Sequence, residues 1–175
     1  MNDPTLAADI NAVARLTGSF KLRSGQVSPE YFDKYRFEAQ PALLRRVAAE
    51  MLTLLPPRTE VLAGLELGGV PIATAMSLAS GLPAVFVRKQ AKAYGTCQAV
   101  EGADVDGRRV VLVEDVITTG GAVSDAFRLV SEAGGDVVAV VCAIWRGDGP
   151  PRLKSLPELA VFAATTMDDM RDRTT

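Results

Sequence analysis

An α/β fold, with a doubly wound and mainly parallel five-stranded sheet, is predicted for this sequence of 175 residues. Two observations carry that prediction. From residue 61 onward, short apolar runs alternate with segments of about ten residues at helical spacing, the pattern of strands joined by crossover helices. The runs are continuous rather than alternating (110–113 reads Val-Val-Leu-Val), so their strands are covered on both faces.

The elements follow in order. Asp3 reads as an N-cap with Pro4 at the first helical position, and Leu6, Ile10 and Val13 recur at helical spacing until Gly18 stops the helix. Residues 20–37 read as irregular or extended, mixing aromatics and charges around a Ser-Gly turn. Pro41 opens a second helix with Leu44, Val47, Ala48, Met51 and Leu55 on one face, and Pro56-Pro57 ends it. Strands are then expected at 61–65, 84–87, 110–113, 137–144 and 159–164, with helices at 71–80 and 122–133 closed by Gly81 and Gly134-Gly135. The polar stretch 88–108 reads as loop. In such a sheet ligands bind beyond the carboxyl ends of the strands.

Composition narrows the chemistry. Apolar residues make up 48% and charged residues 23%, the profile of a globular domain, and no run approaches the ~20 apolar residues of a membrane span. A net charge of −2 gives no general attraction to nucleic acid or an anionic membrane, so neither is expected as a partner and any anion site must be built locally. The first residues, Met-Asn-Asp-Pro, do not resemble a secretory leader, and a cytoplasmic location is expected. With no histidine, Ser-His-Asp triads, Cys-His pairs and histidine metal sites are excluded. Cys142 sits in an apolar run and reads as buried filler. Cys97 lies in a polar segment, as either a reactive thiol or an ordinary loop residue. Metal chemistry would need carboxylates, hydroxyls and the substrate's own oxygens, which points to magnesium.

The stretch "VVLVEDVITTGG", residues 110–121, concentrates that chemistry. An apolar strand runs into Glu114 and Asp115, then Val116 and Ile117, and then the turn Thr118-Thr119-Gly120-Gly121 before a helix opens at Ala122. Backbone N–H groups at such a turn, the helix dipole and two threonine hydroxyls form a cup for one phosphate. No Gly-Lys-Ser/Thr and no Gly-x-Gly-x-x-Gly accompanies it, which disfavours nucleoside triphosphates and dinucleotides. The two acids would repel a bare anion but could accept hydrogen bonds from the vicinal hydroxyls of a sugar. Phosphate in the turn and ribose on the acids together imply a phosphoribose.

This stretch resembles the phosphoribosyl-diphosphate (PRPP) signature of the type I phosphoribosyltransferases. Three further stretches resemble the orotate phosphoribosyltransferases within that group. "FVRKQAKAYG" is similar to their catalytic loop, with Arg88, Lys89 and Lys92 matching and Tyr94 where most members carry histidine. "FKLRSG" is similar to their N-terminal segment, with Arg23 at a position that is often lysine. "CAIWRG" puts Arg146 where the family keeps an arginine for the pyrimidine. "LELGGVPIATA" also matches, but Gly68 stands where many members have a lysine that contacts pyrophosphate.

The resemblance implies the type I phosphoribosyltransferase fold in a single domain, 1–175. Residues 1–57 would supply N-terminal helices and a small hood-like segment over the substrate, and 58–165 the PRPP-binding core. It implies transfer of phosphoribose from PRPP to orotate with Mg²⁺, in a homodimer whose Arg88–Lys92 loop is shared between subunits. Candidate catalytic residues are Lys92, Arg88 and Asp115. PRPP would be held by Arg23, Arg88, Lys89, Lys92, Tyr94, Glu114, Asp115, Val116, Ile117, Thr118, Thr119, Gly120, Gly121 and Ala122. Orotate would meet Thr118 and Arg146, with Tyr31 and Phe32 either stacking on its ring or packing in the core. Magnesium would bind mainly through PRPP, with water linking it to Glu114 and Asp115. Two alternatives stay open: a phosphoribosyltransferase for a purine or uracil, and a non-catalytic PRPP-sensing regulator.

Overall fold

The computed structural model describes residues 3–22, 24–89 and 98–171. Helix α1 (Leu6–Ala14) leads into the strands β1 (Arg15–Lys21) and β2 (Val27–Phe32), followed by α2 (Tyr35–Glu38) and α3 (Pro41–Thr53). The core continues through β3 (Val61–Leu65), α4 (Gly69–Ser80), β4 (Ala84–Val87), β5 (Val100–Gly102) and β6 (Arg109–Ile117). It ends with α5 (Gly121–Glu132), β7 (Asp136–Trp145), β8 (Ala160–Thr166) and α6 (Met167–Arg171).

One sheet has the order β5-β4-β3-β6-β7-β8. The five expected strands are parallel, and β5 is added at the edge, antiparallel to β4. Strand β5 falls in the polar stretch read as loop, because two half-buried residues and an exposed glycine leave no apolar run to detect. β6 at the centre is fully covered. Val111 and Val113 enter a core shared with α1, α3, α4 and α6, while Val110 and Leu112 enter one shared with α5. That two-sided burial is why the strand reads as uninterrupted valine and leucine.

The N-terminal region departs most from expectation. Helix α1 ends at Ala14, and the chain passes through Gly18 in extended form instead of stopping there. β1 pairs antiparallel with β2 as a separate two-stranded sheet, and its register shifts between Thr17 and Phe20. Gly18 thus sits at an irregularity of a strand, where glycine is common. A hairpin this polar is marginal alone. The Asp33 N–H donates to Ala14 O at 2.8 Å, tying its exit back to the end of α1. Helix α3 ends two residues before Leu55, and β6 runs four residues past Val113, so both acids lie within the strand rather than beyond it.

α2 has only four residues, too few for a helix to persist by itself. Its hold is Phe37, fully buried in the core beneath the helices. Phe37→Ala is expected to destabilise the protein by roughly 3–5 kcal/mol, read as a lowered midpoint of urea unfolding.

Candidate active site

β6 delivers the chain to a turn at Thr118-Thr119-Gly120, and α5 starts at Gly121. Gly120 has φ 82°, the left-handed region, and a Cβ there would overlap the side chain of Leu153. No side chain caps α5, so the N–H groups of its first turn are left for a ligand. Thr118 and Thr119 are exposed. Glu114 and residues 116–123 line a cavity of about 210 Å³ at this point. A second cavity of about 250 Å³, lined by Glu66, Arg88, Lys89 and Asp125 among others, shares Ala122 with the first. Lys89 donates its N–H to Glu66 Oε2 at 3.0 Å, and Arg88 lies 3.6 Å from Glu101. A cup suited to phosphate therefore adjoins a cavity that carries Arg88 and Lys89 beside the acids Glu66 and Asp125. A larger cavity of about 550 Å³, lined by residues such as Gln98, Asp104 and Glu132, includes two acids and no cation among its described lining residues, so it does not suit a polyanion.

The two acids differ in setting. Glu114 faces the cup, whereas Asp115 has no exposed surface. Asp115 Oδ2 receives the Lys34 ammonium at 2.6 Å, and Oδ1 accepts the Val116 N–H at 2.6 Å. Glu114 Oε1 accepts the Asp115 N–H at 2.9 Å. The buried carboxyl of Glu38 joins them from α2. Burial, and then the hydrogen bond to Asp115, pushes Glu114 up to about 9; the same causes push Glu38 up to about 8. Burial alone would raise Asp115 as well, but hydrogen bonds with Glu114, Lys34 and Glu38 outweigh it and hold Asp115 below its ordinary value. One charge, balanced by Lys34, is what this cluster holds at neutral pH.

On the acceptor side, the Arg146 N–H donates to Ile117 O at 2.8 Å, joining the end of β7 to that of β6. Its exposed guanidinium lies 6.0 Å from the Phe32 ring centroid. Tyr31 lies instead against Phe20, at 5.6 Å between ring centroids. Neighbouring strand residues face opposite ways, so Phe32, not Tyr31, meets Arg146. Arg23, Lys92, Tyr94 and Cys97 lie outside the described residues. Cys142 is free and buried, and burial pushes its thiol well above the ordinary range. Nothing in the sequence marks Lys34 or Glu38, which fall in and just after the stretch 20–37 that reads as irregular or extended.

Asp115 has both oxygens engaged, and among the described residues no group of three acids or cysteines is arranged to ligate a metal. These residues do not form a direct magnesium site. A hard cation would draw its ligands from the substrate's oxygens and water.

Residues 36–160 match the family model of the phosphoribosyl transferase domain, the class that fold and cup together define. Orotate phosphoribosyltransferase of Nocardioides sp. is 59% identical over 173 residues, covering 97% of each chain. That of Halobacterium salinarum is 39% identical, over 89% of this chain and 88% of its own. The crystal structure of Mycobacterium tuberculosis orotate phosphoribosyltransferase in complex with PRPP superposes with a TM-score of 0.81 at 28% identity, covering 98% of this chain and 99% of that one. This chain belongs to the orotate phosphoribosyltransferase family.

Glu38 and Glu114 bind protons more tightly in the folded chain than in the unfolded one. Stability from this source is complete below their ordinary values near 4.5 and is lost as pH rises through about 8 and 9. The opposite contribution of Asp115 acts at or below its ordinary value of 3.8, outside that window. The ligand-free protein is expected to melt at progressively lower temperature from pH 6 to 9.5. Glu38→Gln, which cannot ionise, should flatten that decline.

Proposed function

We propose that this chain transfers the 5-phosphoribosyl group of PRPP to orotate, giving orotidine 5′-monophosphate and pyrophosphate in pyrimidine synthesis. The observation that carries the proposal is the uncapped Thr/Gly cup beside Glu114, meeting the Arg88–Lys89 cavity at Ala122. It suits a ligand with a phosphate at one end, ribose hydroxyls in the middle and a second polyanion at the other.

The 5′-phosphate lies on the α5 N-terminus and the threonine hydroxyls. Glu114 takes ribose hydroxyls, and Asp115 fixes the end of the strand behind it. As the C1′–O bond to pyrophosphate breaks, negative charge grows on the leaving group, where Arg88, Lys89 and Lys92 stabilise it. Magnesium, when bound with the substrate, would supply further charge neutralisation there. Arg146 and Thr118 hold orotate so that its ring nitrogen bonds C1′, with Phe32 supporting the arginine from behind. The nitrogen's proton is lost to solvent. Positioning and electrostatics, with no covalent enzyme intermediate, account for the rate. The active form is a cytoplasmic homodimer in which the Arg88–Lys92 loop is shared between the subunits.

Incubation with PRPP, Mg²⁺ and a panel of bases tests the assignment. Loss of orotate absorbance, with purines and uracil untouched, is the expected result. Turnover of a purine or uracil instead would replace the acceptor, and no turnover with any base would indicate a PRPP sensor. Lys92→Ala should lower kcat by roughly 10- to 100-fold, the range of one lost charge-assisted contact, with a smaller effect on orotate binding. Arg146→Ala should do the reverse, raising the KM for orotate by a comparable factor while leaving that for PRPP nearly unchanged.

A further inference from the structure

Lys34 has no part in the chemistry above, yet its ammonium lies 2.6 Å from a carboxylate oxygen at the centre of the site. Building on that assignment of function, we propose that Lys34 is a positioning residue of the donor site, acting through Asp115 on the backbone that opens the phosphate cup.

The connection is short. Lys34 Nζ holds Asp115 Oδ2, Asp115 Oδ1 accepts the Val116 N–H at 2.6 Å, and Val116 is among the residues lining the cup. Among the described residues, Lys34 is the cation paired with Asp115. The turn before α4 leaves no space for another there, because even a Cβ at Gly68 would overlap Asp115 Oδ2. Three carboxyls converge on this point, from Glu38, Glu114 and Asp115. Against burial, the hydrogen bond with Glu114 and then the Lys34 ammonium favour the charged form of Asp115, and Lys34 is the cation among these partners. With Asp115 charged, its two oxygens are fixed acceptors for Lys34 and Val116. Without the lysine, a proton moves onto Asp115 and the Val116 N–H loses a charged partner.

The lysine's own placement is also fixed. It precedes α2, which Phe37 anchors in the core, and its ammonium lies over the Tyr35 ring, 5.3 Å from the centroid. Phe32, against Arg146, stands two residues earlier. One short segment therefore touches the acceptor arginine and the donor carboxylate.

Steady-state kinetics with PRPP and orotate varied separately test the role. Turnover of orotate by the unsubstituted protein is measured first, so a failure of the functional assignment is seen independently. Lys34→Met is expected to raise the KM for PRPP by roughly 10- to 100-fold, the range of a charged hydrogen bond, with the KM for orotate changed by less than about 2-fold. Lys34→Arg should recover most of the loss. In an Asp115→Asn background, Lys34→Met should add less than about 3-fold, because the lysine then has no charge to hold. Where that background is too slow to assay, PRPP affinity by calorimetry gives the same comparison. An unchanged KM for PRPP, equal losses for both substrates, or a full further loss in the Asp115→Asn background would each overturn the proposal.

Discussion

A carboxylate with no exposed surface, Asp115, sits near the end of the central strand, and the site is arranged around it. Taking one ionised carboxyl out of water costs several kcal/mol unless its lone pairs are filled and its charge balanced. Asp115 meets both conditions through the Lys34 ammonium, the Val116 N–H and protonated neighbours. Gly68 is the steric counterpart, since the carboxylate occupies the place a side chain would take. Two distant parts of the chain, the turn before α4 and the segment after β2, are thus fitted to a single side chain of β6.

The same cluster resolves the conflict between acids and phosphate. Glu114 lines the cup, where a second full negative charge would oppose the ligand. Burial and Asp115 raise it to about 9, so at neutral pH it is largely protonated. A neutral carboxyl can donate one hydrogen bond and accept others, which suits ribose hydroxyls and leaves the phosphate unrepelled. Lys34 is already balanced by Asp115, so the potential at the cup is set mainly by the α5 N-terminus. The two adjacent carboxyls are pushed in opposite directions, because burial and the hydrogen bond to Asp115 raise Glu114 while the bonds with Glu114 and Lys34 lower Asp115.

How much of this was legible in the sequence follows the range of each interaction. The five parallel strands and the helices α3, α4 and α5 were readable because continuous apolar runs and helical spacing are local signals. The turn after β6 was readable for the same reason, because it is made of consecutive residues between an apolar strand and a helix. The β1–β2 hairpin was only half seen. Its strands are mostly exposed and carry no clear alternation, and Gly18 imitates a helix stop. Lys34 and Glu38 were invisible. Nothing in Asp-Lys-Tyr-Arg-Phe-Glu indicates that its lysine and last glutamate turn inward, because their partner lies on a strand far along the chain. Arg146 and Phe32 were each marked, but their contact depends on a tertiary approach that no spacing encodes.

Donor and acceptor sites therefore differ in how they are built. The donor cup is one continuous stretch from Glu114 to Val123, rigid because β6 is covered on both faces. The proposed acceptor side draws on the end of β7, which the Arg146–Ile117 backbone bond joins to β6, and on the end of β2, whose Phe32 ring lies near Arg146. Residues 32–38 belong to both, since Phe32 supports the acceptor arginine, Lys34 and Glu38 set the donor carboxylate, and Phe37 fixes the segment in the core. A segment carrying all four cannot shift for one substrate without disturbing the groups that serve the other.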